Sequence, residues 1–465
     1  MSGPVSTAAR RGHAKAAAGF LVDAERAAWH DRSLWFMRQK RDRGTDLPDW
    51  ESLRQAGSAL KAHAMSRLAD LLEEFERRAT ANGVVVHWAR DAAEHNAIVL
   101  DILHAAGVTR VSKSKSMLTE ECGLNPFLEA RGIEVVDTDL GERIVQLAKE
   151  PPSHIVIPAI HWKREEIGAL FHRTMGTPAG ETSPDALAAA ARVHLRDALM
   201  NAGAGITGAN VLVAETGGMV VCTNEGNADL GMHSAPIHIA CVGIEKIVAT
   251  RDDLGVLLRL LARSGTGQPV TAYTTHVASP RPGAAMHVVL VDNGRTRRLA
   301  DEAIRTALHC IRCGACLNTC PVYRRSGGYS YGHVIQGPIG AILAPAVDLD
   351  AHHELPFAST LCGSCADVCP VRIDIPAQLL AWRARSAAAG ALPRGYSTIF
   401  PLLGRVLSSL SRFERAARWA RRVQRLIPAS WLSGRWNPWT RPGRALPVIA
   451  DESFREWARR EEKRS

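Results

Sequence analysis

The sequence is missing several features that would have fixed its class at once. No apolar run approaches the roughly 18–20 residues of a membrane-spanning helix, and no charged, apolar, small-residue leader opens the chain. No Walker A stretch is present, which removes the common signature of nucleotide phosphate binding. There is no flavin fingerprint and no recognisable nucleic-acid-binding motif, so nucleic acid is not an expected partner. Acidic excess is lacking too: the net charge is +10. From Gly390 to Ser465 sixteen Arg and Lys face six Asp and Glu, so this tail alone carries an excess equal to the whole chain's. The basic character is therefore a local feature of the tail.

Ten cysteines are present, and seven lie between positions 310 and 369 at C-x₂-C and C-x₃-C spacings. In a chain without a secretion signal this favours metal ligation in a reducing, cytoplasmic compartment over disulfides. Cys122, Cys222 and Cys241 stand alone and are expected to be small buried hydrophobes. "CIRCGACLNTCP" carries a full iron–sulfur motif in Cys310, Cys313, Cys316 and Cys320. "STLCGSCADVCP" repeats it one thiol short, with Ser359 where the first cysteine belongs, followed by Cys362, Cys365 and Cys369. In two-cluster ferredoxins the cysteine before proline reaches the other cluster. Applied here, Cys310, Cys313, Cys316 and Cys369 hold cluster one, and Cys320, Cys362 and Cys365 hold cluster two. Both are expected as [4Fe–4S], the second alternatively as [3Fe–4S] or with a ligand other than cysteine. Ser359, His333, His352, His353, water or another subunit are open choices for that ligand. Paired zinc sites are the alternative chemistry, but the C-x₃-C-P ending, present twice, fits clusters better. Tyr323, Tyr329 and Tyr331, in the loop between the motifs, either shield the clusters or belong to an ordinary surface loop.

Along the chain, residues 1–50 read as a helical lead-in and 51–297 as an α/β domain. Residues 298–389 read as a helical, ferredoxin-type domain, and 390–465 as a basic Trp- and Pro-rich tail. Leu53, Leu60, Ala64, Leu68, Leu71 and Phe75 recur at helical period, and Asn82-Gly83 stops the helix. "VVVHW", "VTRVSKS", "IEVVD" and "HIVIP" then alternate with helical stretches, as in a parallel sheet covered on both faces. "NVLVAET" and "MVVCTN" around Gly217-Gly218 read as a hairpin, which makes the sheet mixed. Gly208, Asn210, Glu215, Gly217, Gly218, Asn224, Glu225 and Asn227 either line a pocket for an anionic small molecule or serve tight turns. "SKSKSM" (112–117) is similarly an anion site or a helix start capped by Ser114 or Ser116. In the tail, one amphipathic helix puts Leu403, Leu407, Leu410, Phe413 and Val423 on one face and Arg412, Arg415, Arg418, Arg422 and Arg425 toward the other. That helix, with Trp419, Trp431, Trp436 and Trp439, suits partner docking, or peripheral contact with the inner face of a membrane.

The segment "GITGANVLVAETGGMVV…PIHIACVGIEKIV" is similar to the LUD domain. Followed by the two cysteine motifs and a basic tail, it resembles the lactate utilization protein B family over about residues 30–460. The resemblance implies an α/β fold akin to sugar isomerases and CoA transferases. It also implies work with two partner subunits in oxidising L-lactate to pyruvate, and a seven-cysteine pattern that is the family's own. On that reading the chain is an electron-transfer subunit delivering to a carrier such as quinone. The alternatives are a catalytic subunit binding a hydroxy acid at a cluster's open iron, with His233 and His238 as candidate bases, or a redox-sensing regulator. No catalytic residue follows from the sequence.

Overall fold

The protein is described by a computed structural model covering residues 12–392, 394–428, 437, 440, 444–445 and 449–464. The chain divides into two compact units, the first ending at Ser386 and the second beginning at Ala387.

In the first unit a six-stranded sheet has the order β1-β10-β7-β4-β2-β3. Its strands are β1 (Val85–Ala89), β2 (Arg110–Lys113), β3 (Glu134–Asp137), β4 (Ala204–Gly208), β7 (Ile237–Gly243) and β10 (Ala285–Val291). Every pairing in it is parallel. The strands are short, β-branched runs whose alternate residues enter different cores. Ala240, Val242, Val288 and Leu290 pack with Leu68, Leu71 and Phe75 of the helix Leu68–Ala81. Ile239, Cys241, Val289 and Val291 pack on the opposite face with Val99 and Leu103 of the helix Ala92–Ala105. Two covered faces explain why these strands lack polar alternation.

The expected hairpin forms, but it belongs to a second sheet. β5 (Val211–Val213), β6 (Gly218–Thr223), β8 (Ile247–Val248) and β9 (Tyr273–Val277) make a four-stranded sheet in the order β8-β5-β6-β9. The antiparallel pairs are β5–β6 and β6–β9, so the mixed character lies there and not in the large sheet. Gly217 turns the hairpin at φ 62°, and a Cβ there would sit 2.3 Å from the amide nitrogen of Ala79.

"HIVIP" (154–158) is not a strand. Nδ1 of the buried His154 accepts hydrogen bonds from the amides of Val156 (3.0 Å) and Ile157 (3.1 Å), which curls the backbone into a turn. Apolar residues in this segment serve the core without extending, and periodicity cannot separate those two uses.

The cysteine-rich segment is built of short helices, including Ala315–Thr319, Gly337–Val347 and Ser364–Asp367. One hydrophobic core joins it to the rest of the unit. Leu34 and Trp50 of the N-terminal helices and Leu254, Leu257 and Leu260 of the helix Arg251–Thr266 meet Leu317, Tyr323, Ile339, Val371 and Leu379.

In the second unit the basic tail forms two helices, Arg394–Leu407 and Leu410–Leu426, where a single helix was expected. Extended backbone at Ser409 (φ −134°, ψ 124°) separates them. Leu402, Leu403, Leu407, Leu410, Phe413 and Trp419 are exposed. Arg421 pairs with Glu456 of the helix Phe454–Glu462 at 2.8 Å. Trp431, Trp436 and Trp439 lie outside the described residues.

Burial lowers several histidines of the first unit far below the ordinary value of 6.5, among them His95 to about 4, and His154 and His238 to about 3. Each is neutral in the fold but titrates near 6.5 once unfolded. The stability they contribute is therefore complete above pH 6.5 and lost as pH falls toward 3–4. The urea midpoint of the protein is expected to fall between pH 6.5 and 4.5. His238→Gln should shallow that dependence by about one proton per molecule, and a midpoint indifferent to pH in this window would refute the assignment.

Candidate functional site: two thiol groups and an adjoining cavity

None of the ten cysteines forms a disulfide. The seven of interest fall into two neighbouring groups. Cys310, Cys313, Cys316 and Cys369 together line one small chamber, closed by Ile155, Ile339, Val371, Ile373 and Ile375. Cys320, Cys362 and Cys365 form the second group, within electrostatic reach of one another. Cys316 also feels Cys365, so the two groups adjoin. Cys362 is the exposed member of the seven; Cys313, Cys320, Cys365 and Cys369 are buried.

The local backbone explains this placement. The loop from Cys310 turns through Arg312 (φ 61°) and Gly314 (φ 78°) before the helix Ala315–Thr319, which carries Cys316. The loop from Ser359 turns through Leu361 (φ 56°) and Gly363 (φ 85°) before the helix Ser364–Asp367, which carries Cys365. In the first loop the amide of Arg312 donates to Cys310 Sγ (3.4 Å); in the second the amide of Leu361 donates to Ser359 Oγ (3.1 Å). Both loops hold left-handed residues that are not glycine, an uncommon conformation, at the same two steps from the first position. Ser359 thus stands where Cys310 stands, in the same fold. Of the other ligand choices, His333 and His352 pack edge to face at 5.4 Å, and His333 Nδ1 is engaged by the backbone of Ile335. His353 Nδ1 lies 2.9 Å from the carbonyl of Asp350.

The donor set fits a cationic cluster. Burial pushes Cys313 and Cys365 up to about 12 and Cys369 to about 11, neighbouring thiols adding to the effect. A positive metal centre is what displaces such protons. Backbone amides of Tyr323 and Ile373 donate to Cys320 Sγ (3.5 Å) and Cys369 Sγ (3.3 Å), contacts of the kind that tune cluster potential. Tyr323 and Tyr331 are fully buried beside Cys316 and Cys320, and Tyr323 Oη donates to the Ser153 carbonyl at 2.6 Å. These two tyrosines therefore seal the thiols from water. From the N-terminal helices, Arg54 Nε donates to the Cys369 carbonyl (3.0 Å) and Arg41 Nη2 to that of Val368 (3.2 Å). Neither arginine stands out in the sequence, because nothing local marks a contact made more than 300 positions away.

Against the first chamber lies a cavity of about 420 Å³, within the range of small-molecule sites. It opens at the carboxyl ends of β2, β4 and β7, where Ser114–Met117, Gly208–Asn210 and Val242–Lys246 leave the sheet. From β2 the chain runs outward to β3 and then returns to β4 on the other side of β2, a switch point at which parallel sheets hold ligands. Gly208 permits the approach of Ser116, whose Oγ would lie 2.9 Å from an added Cβ. Arg312 and Cys313 form part of the wall. On that wall the helix Arg251–Thr266 comes close at Gly265, where a Cβ would meet the Cys313 carbonyl at 3.0 Å.

Of the residues marked in the sequence, Gly208, Asn210, Asn224, Glu225 and Asn227 line this cavity, as do Ser114, Lys115 and Ser116. Ser116 also caps the helix Met117–Glu121. Glu215, Gly217 and Gly218 serve the hairpin, Glu215 accepting from the Arg251 amide at 2.9 Å. His233 and His238 are not on the cavity wall: His233 Nδ1 is held at the Asp229 carbonyl, and His238 Nε2 lies 2.9 Å from Thr207 Oγ1. Cys241 is buried and Cys222 half-buried, both at the cavity's edge; Cys122 is buried in the sheet's second core.

Apart from Lys115 and Glu225, the charged lining has no local mark in the sequence. Burial alone would raise Glu121 and Glu245, but Arg295 between them holds both at about 2. Lys115 pairs with Asp139 at 2.8 Å. Burial, with Arg312 beside it, lowers Lys246 to about 8, while Glu245 and Cys310 pull the other way.

Residues 72–298 match the LUD domain and residues 306–373 the 4Fe-4S dicluster domain. The second match gives the cysteine-rich segment two [4Fe–4S] clusters as its cofactors. Lactate utilization protein B of Bacillus pumilus is 38% identical over 431 residues, 90% of each chain. Its namesake in Oceanobacillus iheyensis is 41% identical over 355 residues, 75% of this chain and 74% of the other. The uncharacterized electron transport protein YkgF of Escherichia coli is 38% identical over 428 residues, 89% of this chain and 88% of its own. A crystal structure of a duf162 family protein from Deinococcus radiodurans covers 48% of this chain and 98% of its own at 18% identity, with a TM-score of 0.27. Identity sustained across both domains and nine-tenths of the length places the chain in the lactate utilization protein B family.

Proposed function

We propose that this chain is the iron–sulfur electron-transfer subunit of a cytoplasmic assembly, shared with two other subunits, that oxidises L-lactate to pyruvate. The observation that carries the reading is the pair of adjoining thiol groups, one sealed beside the cavity and the other reaching the surface at Cys362. When bound, the clusters supply one-electron acceptance and release, which divides a two-electron oxidation into single steps. Cys310, Cys313, Cys316 and Cys369 hold the inner cluster, and Cys320, Cys362 and Cys365 the outer one, with Ser359 at its fourth position. The buried tyrosines and isoleucines exclude water from the inner site, and Cys362 turns the outer one toward an acceptor such as quinone. Relatives named for lactate utilization and for electron transport support the substrate and the role. In the second unit, the exposed apolar face beside Arg412, Arg415 and Arg418 is suited to docking on the assembly.

The crossed ligand sets are open to a direct test. Cys369→Ser should alter the EPR signal of the cluster bound by Cys310, Cys313 and Cys316, and Cys320→Ser that of the other. Exchanged outcomes would mean that each motif holds its own cluster. Ser359→Cys is expected to convert the outer site to an all-thiolate one, visible as a changed EPR spectrum with iron content maintained. An unaltered spectrum would remove Ser359 from the fourth position. For the role itself, clusters of the isolated, anaerobically prepared protein should remain oxidised with L-lactate and become reduced once the partner subunits are added. Reduction by lactate without partners would move the oxidation onto this chain.

A further inference from the structure

One N-terminal helix brings cations to the inner thiols from outside both cysteine motifs. In the helix Trp50–Ser66, Arg54, Gly57 and Lys61 stand three and four positions apart and so share a face. Gly57 lets that face close on the second motif: a Cβ there would lie 2.4 Å from Leu260 Cδ1 and 3.5 Å from the Pro370 carbonyl. Arg54, one turn before it, holds the Cys369 carbonyl. Lys61, one turn beyond, reaches the first motif. The helix packs there on the turn Arg305–His309, which leads directly into Cys310. Lys61 acts through space on both His309 and Cys310. Its side chain is buried, and Nζ donates to the Glu245 carbonyl at 2.5 Å. The Glu245 carboxylate is taken by Arg295 and Arg312 and acts on Lys61 through space. Burial lowers Lys61 to about 8, against the pull of Glu245 and Cys310, so the ammonium persists at pH 7.

We infer that Lys61 raises the reduction potential of the cluster bound at Cys310, as a positioning residue of the electron path. A cluster held by thiolates is anionic, and its reduction adds one electron and one negative charge with no bond made or broken. A fixed positive charge in surroundings of low dielectric favours that reduced form. Withdrawing it removes the preference however the neighbouring charges are balanced, because Glu245, Arg295, Arg312 and Lys246 stay in place. Lys246 and Arg312 also act on Cys310. Both line the cavity, however, and Arg312 turns the motif loop, so exchanging either would alter the site itself. Arg54 anchors backbone of the second motif. Lys61 is attached to neither motif and reaches the cluster by its charge. The outer group is approached from elsewhere, Arg324 acting on Cys320. The inference rests on the cluster at Cys310 and not on lactate, and it holds whether Cys369 or Cys320 supplies that cluster's fourth ligand.

The test is an anaerobic titration of the full-length, cluster-loaded protein with dithionite at pH 7, followed by EPR. The signal of the cluster at Cys310 is identified by its change in Cys310→Ser. In Lys61→Met and Lys61→Gln that cluster is expected to reduce less readily. Its ratio of oxidised to reduced form at a fixed potential should rise about tenfold, equal to about 59 mV for one electron. The midpoint of the other cluster should stay where it is. Lys61→Arg should return the shifted midpoint to that of the unmodified protein, with iron content equal in all four proteins. A lysine that only supported the fold would not move one midpoint in this pattern. Identical midpoints in all four proteins, equal shifts at both clusters, or loss of iron from both neutral variants would each overturn the proposal. If lactate and partner subunits leave the clusters oxidised while the Lys61 shift persists, the tuning stands and the electron-transfer reading falls.

Discussion

Seven thiols have to be kept together in a rigid frame, all but Cys362 at least partly buried, and the first unit is organised around that requirement. A segment of short helices cannot bury so many side chains by itself, since small modules lack the volume for an adequate core. The protein meets the deficit by pooling. Trp50 and Leu34 arrive from the N-terminal helices, Leu254 and Leu260 from the α/β region, and Tyr323 and Leu379 from the cysteine-rich segment. Arg41 and Arg54 then fasten backbone carbonyls of the second motif, and His154 and Tyr323 tie the 153–158 turn to the first. The parts that read as successive modules along the chain thus share one interior.

This sharing explains what the sequence did and did not disclose. Thiol spacing is a local code, so the two motifs, the missing cysteine at Ser359 and the helical character of the segment were legible at once. Strands buried on both faces announce themselves as β-branched runs, and "VVVHW", "VTRVSKS" and "IEVVD" mark β1, β2 and β3 of the large sheet. "HIVIP" misled because its apolar residues are recruited by a histidine-centred turn, which has no periodicity. The pairing of charges was illegible for another reason. Glu121, Glu245, Arg295 and Arg312 are spread over nearly 200 positions and meet only through the ends of separate strands and loops.

The likeness of the Ser359 and Cys310 loops places the irregularity of the second motif in chemistry and not in conformation. Both loops keep a left-handed residue two steps on and a glycine four steps on, with an amide aimed back at the first side chain. Replacing sulfur by oxygen there leaves the backbone undisturbed while changing the donor from a soft, readily ionised thiol to a hard hydroxyl. The two halves of the dicluster region are accordingly similar frames with unlike contents.

Cys313 and Ile155 each face two chambers, the one lined by four thiols and the larger cavity at the strand ends. The partition between them is one side chain thick. Over evolutionary time the far side of the cavity, formed by loops after β2 and β6, can drift to admit ligands of other shapes. The near side cannot, because any residue exchanged there to suit a ligand also reshapes the housing of the thiols. Ligand preference in descendants of this fold should therefore be written in the strand-end loops, while the partition stays fixed.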